Sequence, residues 1–143
     1  MKIFTIGFTK TSAERFFGRL KKSGAKKVID VRLNNVSQLA GFAKRDDLRY
    51  FSKEICGIPY KHEPQLAPTK EMLDQYKKLR GSWKDYEQTF LELIRQRHIE
   101  NLEKLEFDGG CLLCSEDKPH QCHRRLVAEY LKDKWGNVEI VHL

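Results

Sequence analysis

The strongest constraint on the fold is an alternation of short apolar segments with amphipathic helical patterns along the whole chain. KIFTIGF (2–8) alternates apolar and small residues as a buried strand does. After it, Ser12 offers an N-cap to AERFFGRLKKSG, where Phe16, Phe17 and Leu20 fall on one helical face and Gly24 closes the element. KKVIDVR (26–32) carries Val28 and Ile29 in a nearly continuous apolar run that ends on an acid and a base. Runs of that kind suit parallel strands, which are covered on both faces.

The pattern continues through a polar loop at 33–45, a helix DDLRYFSKEICG closed by Gly57, and a short strand IPYKHE (58–63). Two amphipathic helices are predicted at 69–80 and 82–105, the second with Tyr86, Phe90, Leu93 and Ile94 at helical spacing. GGCLLCS (109–115) reads as a buried strand, QCHRRLVAEYLKDKW as a helix ended by Gly136, and VEIVHL as a closing strand. The order β-α-β-α-β-α-α-β-α-β predicts one α/β domain over residues 1–143. Its mostly parallel sheet is flanked by helices in three layers, because parallel neighbours need crossover helices. No repeat, low-complexity tract or linker interrupts it.

At 143 residues the chain can bury one core without disulfide or metal staples. It has neither an apolar run near membrane-spanning length nor a signal-peptide pattern, so a cytoplasmic protein with no membrane role and with reduced cysteines is expected. A formal net charge of +7 favours anionic partners, a phosphate-bearing small molecule or nucleic acid. The cations come in scattered pairs, though, as a solvated basic surface also does.

CLLCSEDKPHQCHRR (111–125) holds three of the four cysteines and two of the five histidines. With CLLCS as a strand and CHRRLVAEYL as a helix, SEDKPHQ becomes a strand-to-helix loop at the carboxyl edge of the sheet, where open α/β folds place ligands. TIGF and DVR end at the same edge. Asp30, Arg32, Cys114, Glu116, Cys122, His123 and Arg124 can therefore converge.

Three chemistries fit this cluster. Zinc prefers thiolate and imidazole, but Cys111 and Cys114 point to opposite faces of a regular strand and Cys122 and His123 are about 100° apart on a helix. A zinc ion held by Cys114, Cys122 and either His120 or His123 remains open, with Cys111 in the core. Alternatively, a thiol at a helix N-terminus beside His123 and Arg124 is favoured as thiolate. Cys122 is then the first candidate nucleophile and Cys114 the second, with Glu116 and His123 as acid/base candidates. A C-x5-R anion loop is absent, since His120 stands six positions after Cys114 and Ala128 six after Cys122. The third chemistry is structural: cysteines filling the core and capping a helix, with His123 and Arg124 bonded to backbone carbonyls or Glu116. Cys56, His62, His98 and His142 read as structural or surface residues.

Asp30 and Arg32 share one face of their strand, which permits an internal ion pair. It also permits Arg32 to fork onto an anion while Asp30 orients it or acts as base. Arg124 and the backbone N–H groups of the helix start at Cys122 would add donors to the same anion. Tyr60 and Phe42 are candidates to stack on a ring, or are core. The loop 33–45 is long for so small a domain, so a lid hinged at Gly41 and placing Gln38, Phe42 and Lys44 over the site is expected.

TIGF, DVRLNNVSQLAGFAKRDDLRYF, GIPYKHEPQLAPT and CLLCSEDKPHQCHRRLVAEYL together resemble the DUF488 family of small proteins of unknown function, in the branch with SQLAGF after the DVR strand. The resemblance covers essentially the whole chain. It implies a single α/β domain with a site built from Asp30, Arg32, Cys114, Glu116, Cys122, His123 and Arg124, and it brings no reaction with it. Two function classes follow. One is an enzyme acting on a phosphate-bearing, nucleotide or nucleic-acid-related substrate. The other is a non-catalytic module that binds nucleic acid or another anion, with the Cys/His pair structural or metal-bound.

Overall fold

A computed structural model describes residues 1–143. Five strands, β1 (Lys2–Gly7), β2 (Lys27–Asp30), β3 (Tyr60–His62), β4 (Gly110–Cys114) and β5 (Glu139–His142), form one sheet in the order β3-β2-β4-β1-β5. Every pairing in it is parallel. The helices are α1 (Ala13–Ser23), α2 (Arg45–Cys56), α3 (Lys70–Lys77), α4 (Trp83–Gln96) and α5 (His123–Trp135).

Side-chain alternation along the strands divides the interior into two cores. Phe4, Ile6, Val28, Cys111 and Leu113 pack under α1 and α2 with Phe16, Phe17, Leu20 and Leu48. Ile3, Ile29, Leu112 and Cys114 face α4 and α5 with Phe90, Ile94, Val127 and Leu131. The result is a three-layer α/β sandwich, and Cys111 and Cys114 lie on opposite faces of β4 as the period of two demands. Ser12 caps α1 by accepting from the Arg15 N–H, and Gly24 ends the helix in a left-handed conformation with φ of 77°.

Two helical boundaries differ from the sequence pattern. The segment 82–105 is not one helix: α4 stops at Gln96, His98 turns left-handed, and short 3-10 turns follow at Ile99–Asn101 and Lys104–Glu106. Tertiary contacts break the periodicity, because Ile99 is drawn fully into the core and the Arg97 guanidinium donates to the Gln65 and Ala67 carbonyls. The 33–45 loop is also partly ordered, as 3-10 turns over Gln38–Ala43 kinked at Gly41, where φ is 56° and ψ is −125°. Glycine reaches that conformation without strain.

The register sets Gly7 of β1 beside Cys114 of β4, and Asp30 of β2 beside Leu113. The three strand ends thus share one carboxyl edge. A Cβ on Gly7 would lie 1.6 Å from the Glu116 carbonyl oxygen, so only glycine lets the segment after β4 close down on β1. That segment is held there by the Phe8 and Thr9 N–H groups and the Thr9 hydroxyl, all donating to the Ser115 carbonyl.

Candidate active site

A cleft of about 310 Å³ opens at this edge. Among the residues the sequence singles out, Arg32, Cys114, Glu116, Cys122 and His123 line it. Leu39 and Ala40 of the 33–45 loop form one side, and the aromatic rings of Phe8, Tyr76, Trp83 and Tyr86 supply much of the wall.

The chemical centre is Cys114, Cys122 and His123, whose ligand-capable atoms all lie within 4.8 Å of one another. The backbone fixes each member. Cys114 ends the central strand, and Cys122 is the N-cap residue of α5 without capping by its own side chain. His123 is the first residue of that helix. Its Nε2–H donates to the Val31 carbonyl at 2.6 Å, because a carbonyl can only accept. Nδ1 is thereby turned to Cys114 Sγ at 3.6 Å, and the ring is steadied edge-on by Phe90 at 5.3 Å between centroids.

Electrostatics separate the two thiols. The neighbouring Cys122 thiol holds the Cys114 thiol below the usual cysteine range against its burial, helped by the Ser115 N–H and the Arg124 charge. Cys122 is pushed far up by the nearby Cys114 and by burial. The sequence ranks Cys122 as first nucleophile; here the lowered thiol is Cys114 and the raised one is Cys122. On the other face of β4, Cys111 is wholly buried and burial pushes its thiol up.

Arg32 is nearly buried, at 5% exposure. Its Nε and Nη2 fork onto Asp30 at 2.9 and 2.8 Å, and Nη2 also donates to the Ala43 carbonyl. Nη1 has no partner at all. An unmade hydrogen bond of a buried donor costs about 1–3 kcal/mol, more for a charged group, and this unmade bond belongs to a residue of the cleft lining.

Asp30 lies behind Arg32, fully buried and outside the cleft lining. Tyr60 and Asn35 donate to its carboxylate as well. Burial pushes the Asp30 carboxyl up, but the Arg32 fork and the Tyr60 hydroxyl outweigh it and leave the group below its ordinary value.

Arg124, also fully buried, lies outside the cleft lining and braces the loop after β4. It donates to the Glu116 and Asp117 carbonyls and to Thr5 Oγ1. Gln38 accepts from half-buried Lys44, and Phe42 packs among Phe8, Phe16 and Phe17. Neither lines the cleft, and the loop meets it through Leu33, Asn34, Ser37, Leu39 and Ala40 instead. His120 is exposed and outside the Cys/His cluster. Glu116 pairs with Lys77 at 3.2 Å across an exposed stretch of the lining.

A family model described as a domain of unknown function, DUF488, matches residues 12–131. The chain belongs to the DUF488 family. No curated protein and no solved structure matches it. In this DUF488 chain the sequence reading missed Phe8, Tyr76, Trp83 and Tyr86 as cleft residues. Tyr86 carries the helical spacing of a core position, and it is indeed packed against the α4/α5 core while one face lines the cleft. Only the aromatic excess at the α3–α4 junction hinted at a second use.

Proposed function

We propose that this DUF488 protein is a thiol-dependent enzyme acting on a phosphate-bearing substrate bound in the cleft. The observation that carries the reading is that Arg32, whose Nη1 has no hydrogen-bond partner, lines the same cleft as the Cys114–His123 pair. Arg32 receives an anionic oxygen of the substrate, and Asp30 positions the guanidinium from behind. Phe8, Tyr76 and Trp83 offer an apolar wall for a ring.

In the reaction, the Cys114 thiolate attacks the electrophilic atom while His123 Nδ1 holds the thiol proton. The bond to sulfur forms, the bond to the leaving group breaks, and the leaving group takes the proton from His123. A water then gives a proton back to His123 and its oxygen to the substrate atom, and sulfur departs as thiolate. Cys122 stays protonated beside the Cys114 sulfur throughout.

A second reading has a specific observation behind it. A tetrahedral zinc with Zn–S of about 2.3 Å and Zn–N of about 2.0–2.1 Å sets its sulfur and nitrogen ligands about 3.6 Å apart. The Cys114 Sγ to His123 Nδ1 separation is 3.6 Å, and the Val31 carbonyl orients the other ring nitrogen as outer partners of metal-bound histidines do. Cys114, Cys122 and His123 would then leave a fourth position towards the cleft.

Iodoacetamide alkylation of untagged protein across pH 5–10, read by peptide mass spectrometry beside metal analysis, separates the two. The thiol reading expects Cys114 to react first, with a midpoint below that of an ordinary cysteine, and less than a tenth of an equivalent of metal. One equivalent of zinc that protects both thiols assigns the metal reading instead. Unprotected thiols with no lowered midpoint sink the nucleophile.

A further inference from the structure

A second concave surface lies beside the cleft and has no part in the chemistry described above. Its volume is about 870 Å³, and no hydrophobic residue lines it. Six cations face it: Lys10, Arg15, Arg19, Lys21, Lys22 and Lys118. Asp117 is its only acid. None of the six takes part in an ion pair, although many exposed cations elsewhere on the molecule do.

Three features make this more than a solvated face. Arg15, Arg19 and Lys22 stand at i, i+4 and i+7 on α1 and so share one stripe about 10 Å long. Gly18 lies within that stripe with open space where a side chain would stand, which leaves the groove floor clear. Thr9 lines both this groove and the aromatic cleft, and the loop that follows Cys114 lends Ser115 and Glu116 to the cleft and Asp117 and Lys118 to the groove. The two surfaces are therefore continuous.

A polyanion matches the groove, and the aromatic wall next to it selects among polyanions. A groove of unpaired cations leading to stacking rings is the combination that binds single-stranded nucleic acid, with phosphates on the cations and a base on the rings. Tyr76 and Trp83, both half-buried, sit 5.7 Å apart between centroids in the cleft wall and offer such rings. A duplex keeps its bases stacked inside and brings only its phosphates.

We infer that the basic groove carries the phosphate backbone of a single-stranded nucleic acid and leads one of its bases into the aromatic cleft. This rests on the cleft being the reaction site and names the substrate class: a nucleotide unit within a strand.

The test is fluorescence anisotropy with a mixed-sequence, dye-labelled ten-nucleotide single strand, titrated at several salt concentrations. Five to six phosphate contacts, about one per groove cation, give a slope of log affinity against log salt of about −3.5 to −4, at about −0.7 per phosphate. Replacing Arg15, Arg19 and Lys22 together by Ala makes the slope shallower by about 2 and weakens binding at least tenfold at low salt. Trp83→Ala weakens binding about tenfold with the slope kept. Should the triple variant fail to fold by circular dichroism, the double variant Lys10→Ala/Lys118→Ala, outside the helix, is expected to flatten the slope by about 1.4.

A wild-type protein that does not bind the strand overturns the inference. So does a groove variant with an unchanged slope, a duplex of the same length bound as tightly, or inorganic tripolyphosphate displacing the strand at equal phosphate concentration. The alkylation profile of Cys114 is an independent readout. A strand that binds beside an ordinary Cys114 midpoint removes the thiol reading alone, and a lowered midpoint without strand binding removes this inference alone.

Discussion

Replacing Gly7 by Ala tests whether the site loop is held by close approach to β1. The new Cβ would stand 1.6 Å from the Glu116 carbonyl oxygen and 2.6 Å from its carbon, against the 3.0 Å below which such contacts essentially never occur. The loop must retreat by at least about 1.4 Å. The Arg124 guanidinium cannot follow, since it is fully buried and its Nη1 lies only 3.0 Å from the same Cβ position. Its hydrogen bonds to Glu116 and Asp117 lengthen or break. Overpacking costs about 1–3 kcal/mol, and each weakened hydrogen bond to a charged group up to about 1.5–3 kcal/mol. A loss of about 3–5 kcal/mol is expected, which for a chain of this size lowers the melting temperature by about 10–15 °C. Urea unfolding followed by circular dichroism measures it. Gly18→Ala is the control of opposite sign: this helical glycine has open space around it, so alanine gains about 0.5–1 kcal/mol. A Gly7→Ala protein within about 1 kcal/mol of the parent refutes the close-approach argument, and a shifted loop would also slow Cys114 alkylation.

Three further outcomes are expected. Asp30→Asn strands a buried guanidinium and costs about 3–5 kcal/mol at pH 7. Because the folded Asp30 titrates below its unfolded value, its stabilisation is present above about pH 3.9 and is lost as pH falls through the folded value. The gap between parent and variant in urea midpoints should therefore narrow below pH 4; a constant gap would contradict the ion-pair account. Phe42→Ala removes a ring that touches three phenylalanines and should cost about 2–3 kcal/mol, whereas Leu39→Ala, 97% exposed in the parent, should stay within about 0.5 kcal/mol. Cys111 should remain unlabelled by iodoacetamide until the protein unfolds; labelling in the folded state would mean that β4 opens locally.

The layered α/β fold was legible because its signals are local. Apolar runs of strand length, the cap at Ser12 and the stops at Gly24 and Gly57 each act through neighbouring residues, and the structure keeps all of them. The opposite facing of Cys111 and Cys114 follows from strand period alone. The overlong 82–105 helix marks where locality fails, since Ile99 and Arg97 answer to partners 30 and 32 residues away along the chain or to the core rather than to helical spacing.

What the sequence determined by itself was a sheet with the TIGF, DVR and CLLC strands ending at one edge, and a list of reactive side chains gathered there. Only the tertiary structure decided how those side chains divide their work. Asp30 and Arg124 carry the same kinds of charge in sequence as any site residues, yet each is enclosed and pointed at a supporting bond, while Arg32, in the cleft lining, keeps one nitrogen without a hydrogen-bond partner. It also decided which of the two neighbouring thiols is lowered, Cys114, and which is raised, Cys122, and that rings from α3 and α4 line the cleft. These outcomes depend on burial and on distances between distant segments. A one-dimensional pattern can name the groups that meet at an edge, but their protonation and free donors are set by what surrounds each in three dimensions.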